Sequence, residues 1–341
     1  MTKVLVLGGA GFIGTSLVRR LVDDGDVELT VADLAIGDRF LDAFPDALER
    51  KQLAFIEDDF SEASAWKRLA NNYDHVYHLA AIVGVNRTLA HPEEVMRVNT
   101  ALVHHALLWL RQSRVGRLVF ASSSENYAAT TDLFAAAVPT SETVPLTVGD
   151  VRHPRWTYAV SKVLGEAAFL HSAKPLGFEA TVVRYQNAFG PNMGFRHAIP
   201  HIVERIVRGE RPVQVYGSNQ TRAFCYVTDS VDGTIRAMQA PQAAGEIYHV
   251  GNDVEITMRQ LTEAAGELLG YHGPYEDAPT YPGSVERRCP DLTKCRSELG
   301  YAPRVHWRDG LAATVAWYRA FFESGGRPTE GGFEPPDRFQ Q

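Results

Sequence analysis

Short apolar runs alternate along the chain with longer stretches whose apolar residues recur at helical spacing. VLVL at 4–7 is the first run, and glycines and then FIGTSLVRRLV follow it. ELTVAD at 28–33, QLAFIED at 52–58, HVYHLAA at 75–81, GRLVFASSS at 116–124 and FEATVVRY at 178–185 are further runs. Runs of this length suit strands of a buried parallel sheet. Helical patterns fill the gaps, notably PEEVMRVNTALVHHALLWLRQ at 92–112. The alternation predicts an α/β protein with a doubly wound parallel sheet and right-handed crossovers.

The second half is less regular. AIPHIVERIVRG at 198–209, DSVDGTIRAMQA at 229–240 and TMRQLTEAAGELLG at 257–270 read as helices, and PVQVYG at 212–217 as a short strand. The layout expected is a nucleotide-binding domain over 1–185, with elements of about 218–250 returning to it. A smaller α/β substrate domain would come from 186–217 and 251–323, and the Gly- and Pro-rich 324–341 would be a loose tail.

Composition narrows the partners. The 341 residues are 45% hydrophobic and 22% charged, which is enough for a large core. A net charge of −7 gives no basic surface for nucleic acid, so an anionic ligand must be held by local arginines. Three cysteines, with no CxxC, predict a reducing compartment. The opening KVLVLGGAGFIG has neither a signal pattern nor a membrane span, so a cytoplasmic protein without a membrane partner is expected. The histidines make no HExxH and no paired spacing, so no metal is expected; His104 and His105 read as core and flank residues of a helix.

Gly8, Gly11 and Gly14 form GxxGxxG between a strand and a helix. Gly8 permits a tight turn, Gly11 lets backbone approach a pyrophosphate, and Gly14 lets helix and strand pack closely. The helix start, Phe12 and Ile13, offers free N–H groups to phosphates. Asp33 ends the second strand, where a carboxylate accepts from both ribose hydroxyls and repels a 2′-phosphate. The motif therefore predicts NAD rather than NADP. Asp59, with Phe60 beside it, is either a contact for the adenine edge or a solvated strand-end acid. Leu79, Ala80 and Ala81, at the end of the run at 75–81, are further cofactor candidates.

In PRWTYAVSK, Tyr158 and Lys162 lie four apart, on one face of a helix. A phenol must lose about 3 pKa units, about 4 kcal/mol, to serve as a base at neutral pH. A neighbouring ammonium and an oxidised nicotinamide would supply that shift. Tyrosinate then takes a substrate hydroxyl proton as hydride leaves the same carbon. Ser123, ending FASSS, is placed to hydrogen-bond that oxygen.

GGAGFIG, HLAA, SSSENY, YAVSK, VRYQNAFGP and QTRAFCYVTD together resemble the extended short-chain dehydrogenase/reductases, specifically the nucleotide-sugar epimerase/dehydratase group, from Lys3 to about Tyr318. The resemblance implies a Rossmann-type fold and tightly held NAD that oxidises a sugar at C4. It matches Ser123, Tyr158 and Lys162 to the catalytic set and Asn99 to the helix asparagine near the active site. It also implies a homodimer seam formed by helices 92–112 and 155–173.

A C4 ketone opens routes to epimerisation, dehydration or decarboxylation. Glu125, two residues after Ser123, is the added polar group the last two favour. SSE resembles the Thr-Ser-Glu segment of UDP-glucuronate decarboxylases and GDP-mannose dehydratases. VYGSNQTRAFCYVTD resembles UDP-xylose synthases, and PRWTYAVSK the decarboxylase domain of the bacterial aminoarabinose pathway. VERRCPDLTKCRSELGYAP resembles a segment of both and puts Arg288 on its arginine, suited to a planar carboxylate. The expected reaction is UDP-glucuronate to UDP-xylose or UDP-4-keto-pentose. A 4-epimerase or 4,6-dehydratase is the alternative, and an NAD-sensing protein without turnover a remote one. Asn187 and Arg222 match positions around the substrate diphosphate, Val215 lies where backbone would meet a nucleobase, and Arg87 and Ser124 are further substrate candidates. Thr88 stands where decarboxylases carry tyrosine, and Asn126, Ala128 and Gln186 also depart from their pattern.

Overall fold

The computed structural model describes residues 1–36, 40, 44, 52–195, 197–280 and 284–326. Most of the expected tail, 327–341, lies outside them. Seven parallel strands form the central sheet: β1 (Thr2–Leu7), β2 (Val27–Asp33), β3 (Leu53–Glu57), β4 (Asn72–His78), β5 (Arg114–Ser123), β6 (Glu179–Tyr185) and β7 (Ile247–Val250). Their order is β7-β6-β5-β4-β1-β2-β3, so the chain reverses direction across the sheet between β1 and β4. Crevices for ligands open at that switch point, beyond the carboxyl ends of the strands.

The central strands are apolar on both faces because helices cover both. On one face α1 (Phe12–Asp24) and α4 (Val227–Gln239) pack with Val4, Val6, Val31, Val119 and Val183. On the other, α2 (Pro92–Leu110) and α3 (Trp156–Leu176) pack with Leu5, Leu7, Val76, Leu118 and Phe120. Gly165 lets α3 lie against β5, because a Cβ there would stand 2.3 Å from the Phe120 ring. That approach sets the distance between the α3 side chains and the end of β5.

A separate apolar cluster joins helices Ala198–Val207, Met258–Leu268 and Trp307–Glu323 with Val213 and Phe224. Two small sheets flank it. Thr221–Ala223 lies between Glu255–Thr257 and Arg287–Arg288, and Val213–Tyr216 pairs with Tyr275–Ala278. Among the described residues no helix is long and apolar enough to cross a membrane.

Candidate active site

The glycine turn closes as its sequence requires. Gly8 has φ +80°, and its N–H donates to the Ala32 carbonyl at 2.8 Å. A Cβ at Gly14 would sit 2.2 Å from the Gly8 carbonyl oxygen, so only glycine lets α1 start this close to β1. A Cβ at Gly11 would meet only that same oxygen, at 3.3 Å. The first turn of α1 has no side-chain cap and no acidic residue, so its N–H groups are left for an anion. These features fit a dinucleotide pyrophosphate. Phe12 and Ile13 pack outward from the turn into the two apolar clusters on either side.

Asp33 ends β2 facing the same turn. One carboxylate oxygen accepts from Ala10 N–H at 2.9 Å and the other from Leu34 N–H at 2.8 Å. Burial pushes its pKa up to about 6, against the lowering effect of those bonds. A raised carboxyl pKa favours the protonated folded form. The ionised group therefore costs stability above about pH 6, and that cost fades as pH falls toward the ordinary carboxyl value. Ribose hydroxyls donate to the anion, so NAD affinity is expected to weaken below pH 6. Asp33→Asn should flatten that pH dependence, as titration calorimetry on both sides of pH 6 would show.

Asp59 spends one oxygen on Ser61, accepting from its N–H at 2.9 Å and its hydroxyl at 2.7 Å. Phe60 is buried against Trp66, whose indole N–H donates to the Phe60 carbonyl. Leu79 and Ala80 leave β4 by donating both N–H groups to the Leu7 carbonyl, which folds the HLAA segment over Gly8. Ala81 is half-buried in the same loop. Asn99, buried on α2, clamps that loop: it accepts from Ile82 N–H at 2.7 Å and donates to the Ile82 carbonyl and to Ser161. Ser161 lies between Tyr158 and Lys162, so Asn99 ties the cofactor loop to α3.

Tyr158, Lys162 and Ser123 come together. The Tyr158 hydroxyl lies near the Ser123 side chain, which favours its ionised form. Lys162 donates to the Ala121 carbonyl at 2.8 Å, with its ammonium 4.9 Å from the Phe120 ring centroid and 5.9 Å from that of Tyr158. The expected acidification of the phenol is absent in the protein alone. Burial pushes Tyr158 above its ordinary value, and the opposing influence is Ser123 rather than Lys162. Burial also pulls Lys162 down to about 7, against the charge of Glu166.

Beneath this group lies a polar network that the sequence analysis leaves unassigned. Glu166, one turn beyond Lys162, forms a buried two-pronged ion pair with Arg184 at 2.7 and 2.8 Å. The same carboxylate accepts from Ser122 at 2.5 Å and from Asn126 at 2.8 Å. Asn126, a departure from the decarboxylase pattern, thus joins Ser122, the residue before Ser123, to Glu166. Glu166→Ala leaves a buried guanidinium unpaired. It is expected to cost about 3–5 kcal/mol of stability, read from denaturant unfolding.

Glu125 meets two arginines. Arg288 Nη1 donates to Oε1 at 2.6 Å and Arg155 Nη2 to Oε2 at 3.0 Å. Burial alone would raise the Glu125 pKa, but the two guanidinium groups outweigh it and hold it down at about 2. The carboxylate is close enough to Tyr158 for its charge to oppose ionisation of the phenol. Arg155 is absent from the sequence-based candidates although it lies three residues before Tyr158. Arg222 and Arg288 are register partners on adjacent parallel strands, so both project to one face. Arg222 also donates to the Thr221 carbonyl at 2.7 Å and to the Ser284 hydroxyl at 3.0 Å.

Other substrate candidates have protein partners. Arg87 forks onto Glu94 at 2.9 Å. The Asn187 amide donates to the Ala223 carbonyl at 3.0 Å, from a backbone with φ +39°. Val215 is buried inside the ladder with Tyr275–Ala278, and Ser124 is buried at the start of the turn that carries Glu125. Tyr127 donates to Gln186 at 2.9 Å, so the substituted Gln186 is the buried acceptor for that phenol. Cys225, Cys289 and Cys295 are buried free thiols. No cluster that could hold a metal occurs among the described residues.

A Rossmann-type sheet with a glycine turn and a strand-end acid defines the class of dinucleotide-binding proteins. The chain belongs to the NAD-dependent epimerase/dehydratase family, whose profile matches residues 4–251, and NAD is its cofactor. It is 32% identical over 333 residues to the UDP-N-acetyl-alpha-D-glucosaminuronate decarboxylase of Bacillus cytotoxicus, covering 93% of this chain and 98% of that one. The dTDP-glucose 4,6-dehydratase of Streptomyces venezuelae, solved with NAD bound, matches with TM-score 0.82 and 28% identity over 96% of this chain and 99% of that one. The UDP-glucose 4-epimerase of Thermotoga maritima, solved with UDP-glucose, matches with TM-score 0.81 and 26% identity over 94% and 99%.

Proposed function

We propose that the protein is an NAD-dependent UDP-hexuronate decarboxylase, turning UDP-glucuronate into UDP-xylose or UDP-4-keto-pentose. The observation that carries this reading is Arg288 seated on Glu125, two residues beyond Ser123 and near Tyr158. A guanidinium there suits the C6 carboxylate of a hexuronate whose C4 hydroxyl faces Tyr158. The relative that acts on a glucosaminuronate supports the same substrate class.

Tyr158, once ionised, takes the C4 hydroxyl proton while Ser123 holds the oxygen. Bound NAD supplies the hydride acceptor for C4 and the source of its return. The product is a β-keto acid. Its C5–C6 bond breaks, CO2 leaves, the electron pair enters the C4 carbonyl as an enolate, and C5 takes a proton. Return of hydride to C4 gives the pentose, and earlier release gives the 4-keto sugar.

The state of Glu125 favours this route over dehydration. Elimination needs a base for the C5 proton, and a carboxylate held at about 2 is a poor one. Decarboxylation needs no such base. Arg222, on the same face as Arg288, is suited to the diphosphate, with Asn187 beside its strand. Exposed Leu108 on α2 and Leu164 on α3 support a homodimer through those helices. The three buried free thiols suit a cytoplasmic setting.

The test is a panel of UDP-glucuronate, UDP-N-acetylglucosaminuronate, UDP-glucose and dTDP-glucose, with CO2 and product mass as readouts. CO2 and a UDP-pentose mass are expected from hexuronate. Rapid turnover of a neutral hexose with no CO2 from either acid would overturn the reading.

A further inference from the structure

We propose that Arg155 is a specificity-determining residue for acidic sugars: it shares Glu125 with Arg288 and leaves that cluster with one positive charge in excess. The inference rests on the hexuronate reading above and deepens it. Two guanidinium groups and one carboxylate meet here, and two positive charges less one negative leave one positive. The two arginine side chains are 9% and 11% exposed, so water screens the excess poorly.

A buried charge without a counter-charge is costly unless a ligand completes it. Neither arginine pairs with a second carboxylate among the described residues. Arg155 also keeps its Nε–H buried and without a hydrogen-bond partner among those residues, so a donor as well as a charge is left over. Its guanidinium lies 5.6 Å from the Trp156 ring centroid, which restrains it at the start of α3.

Glu125 with Arg288 alone would be a neutral pair with little to attract a substrate carboxylate. With Arg155 on its other oxygen, the glutamate no longer cancels Arg288. An acidic sugar neutralises the cluster, whereas a neutral hexose leaves it charged. Arg155 therefore separates the two substrate classes through the charge it adds.

Arg155→Met and Arg155→Lys, each as NAD-loaded full chain, test this against UDP-glucuronate and UDP alone. Arg155→Met keeps the Glu125–Arg288 pair, so the fold is expected to survive. kcat/KM for UDP-glucuronate should fall roughly 10–100-fold, mostly through KM, as for a lost charged hydrogen bond. Kd for UDP should stay the same, because UDP has no sugar carboxylate, and Arg155→Lys should recover part of the loss. An unchanged kcat/KM in Arg155→Met, or an equal weakening for UDP, overturns the inference while wild-type CO2 release leaves the decarboxylase reading standing. Wild-type protein that releases no CO2 from either hexuronate overturns both.

Discussion

Tyr158→Phe is expected to lower kcat by about 10²–10⁴-fold while NAD remains bound, the loss typical of removing a general base. The phenylalanine ring fills the same volume beside Lys162 and removes only the hydroxyl near Ser123. In the proposed reaction that hydroxyl takes the C4 proton. It is a reluctant base in the protein by itself, since burial raises its pKa and leaves Lys162 near 7. Each pKa unit above neutrality costs about 1.4 kcal/mol, so the positive charge of the oxidised nicotinamide must supply much of the shift. Reduced nicotinamide should therefore not form when the variant is mixed with UDP-glucuronate in a single turnover. Formation at the wild-type rate would show that another group takes the proton.

Arg288→Met is expected to suppress CO2 release more strongly than it weakens UDP binding. Removing one member of a buried, hydrogen-bonded charge pair costs about 2–5 kcal/mol, roughly 30–5000-fold in kcat/KM. The variant loses the guanidinium assigned to the substrate carboxylate and leaves Glu125 with Arg155 alone. Arg287→Met is the control. Arg287 is half exposed and pairs with Glu255, so its loss should cost about 0–1 kcal/mol and leave decarboxylation near wild type. Equal losses in the two variants would point to damage in the small sheet they share rather than to carboxylate recognition.

Much of the sheet was legible in the sequence because its central strands carry apolar runs set between helical patterns. The run at 75–81 foretold β4, yet the strand starts at Asn72 and stops at His78. Its polar start pairs in register with Arg114, and its end comes where Leu79 and Ala80 turn to the Leu7 carbonyl. β7 was foreseen only as part of a returning segment, because IYHV between two glycines is too short to carry a period. The helix Trp307–Glu323 was not assigned, although its WRDGLAATVAWYRAFFE has apolar residues at helical spacing.

In the site, Ser123, Tyr158 and Lys162 were readable from local spacing once their strand and helix were. Arg155 was not, because its partner Glu125 is 30 positions away and Arg288 reaches the same carboxylate across 163. No periodicity reports a meeting of that kind. The Arg87 pairing was not legible either: Glu94 takes its fork across the break between two helices. The phenol and ammonium pairing was legible as geometry, but the balance between burial and charge depends on packing that only the folded chain supplies.

The most direct test of the central claim uses UDP-glucuronate carrying deuterium at C4. Oxidation at that carbon predicts a primary isotope effect on CO2 release, with the deuterium found on the nicotinamide or back at C4 of the pentose. CO2 release with no isotope effect and no deuterium transfer to the nicotinamide would contradict it.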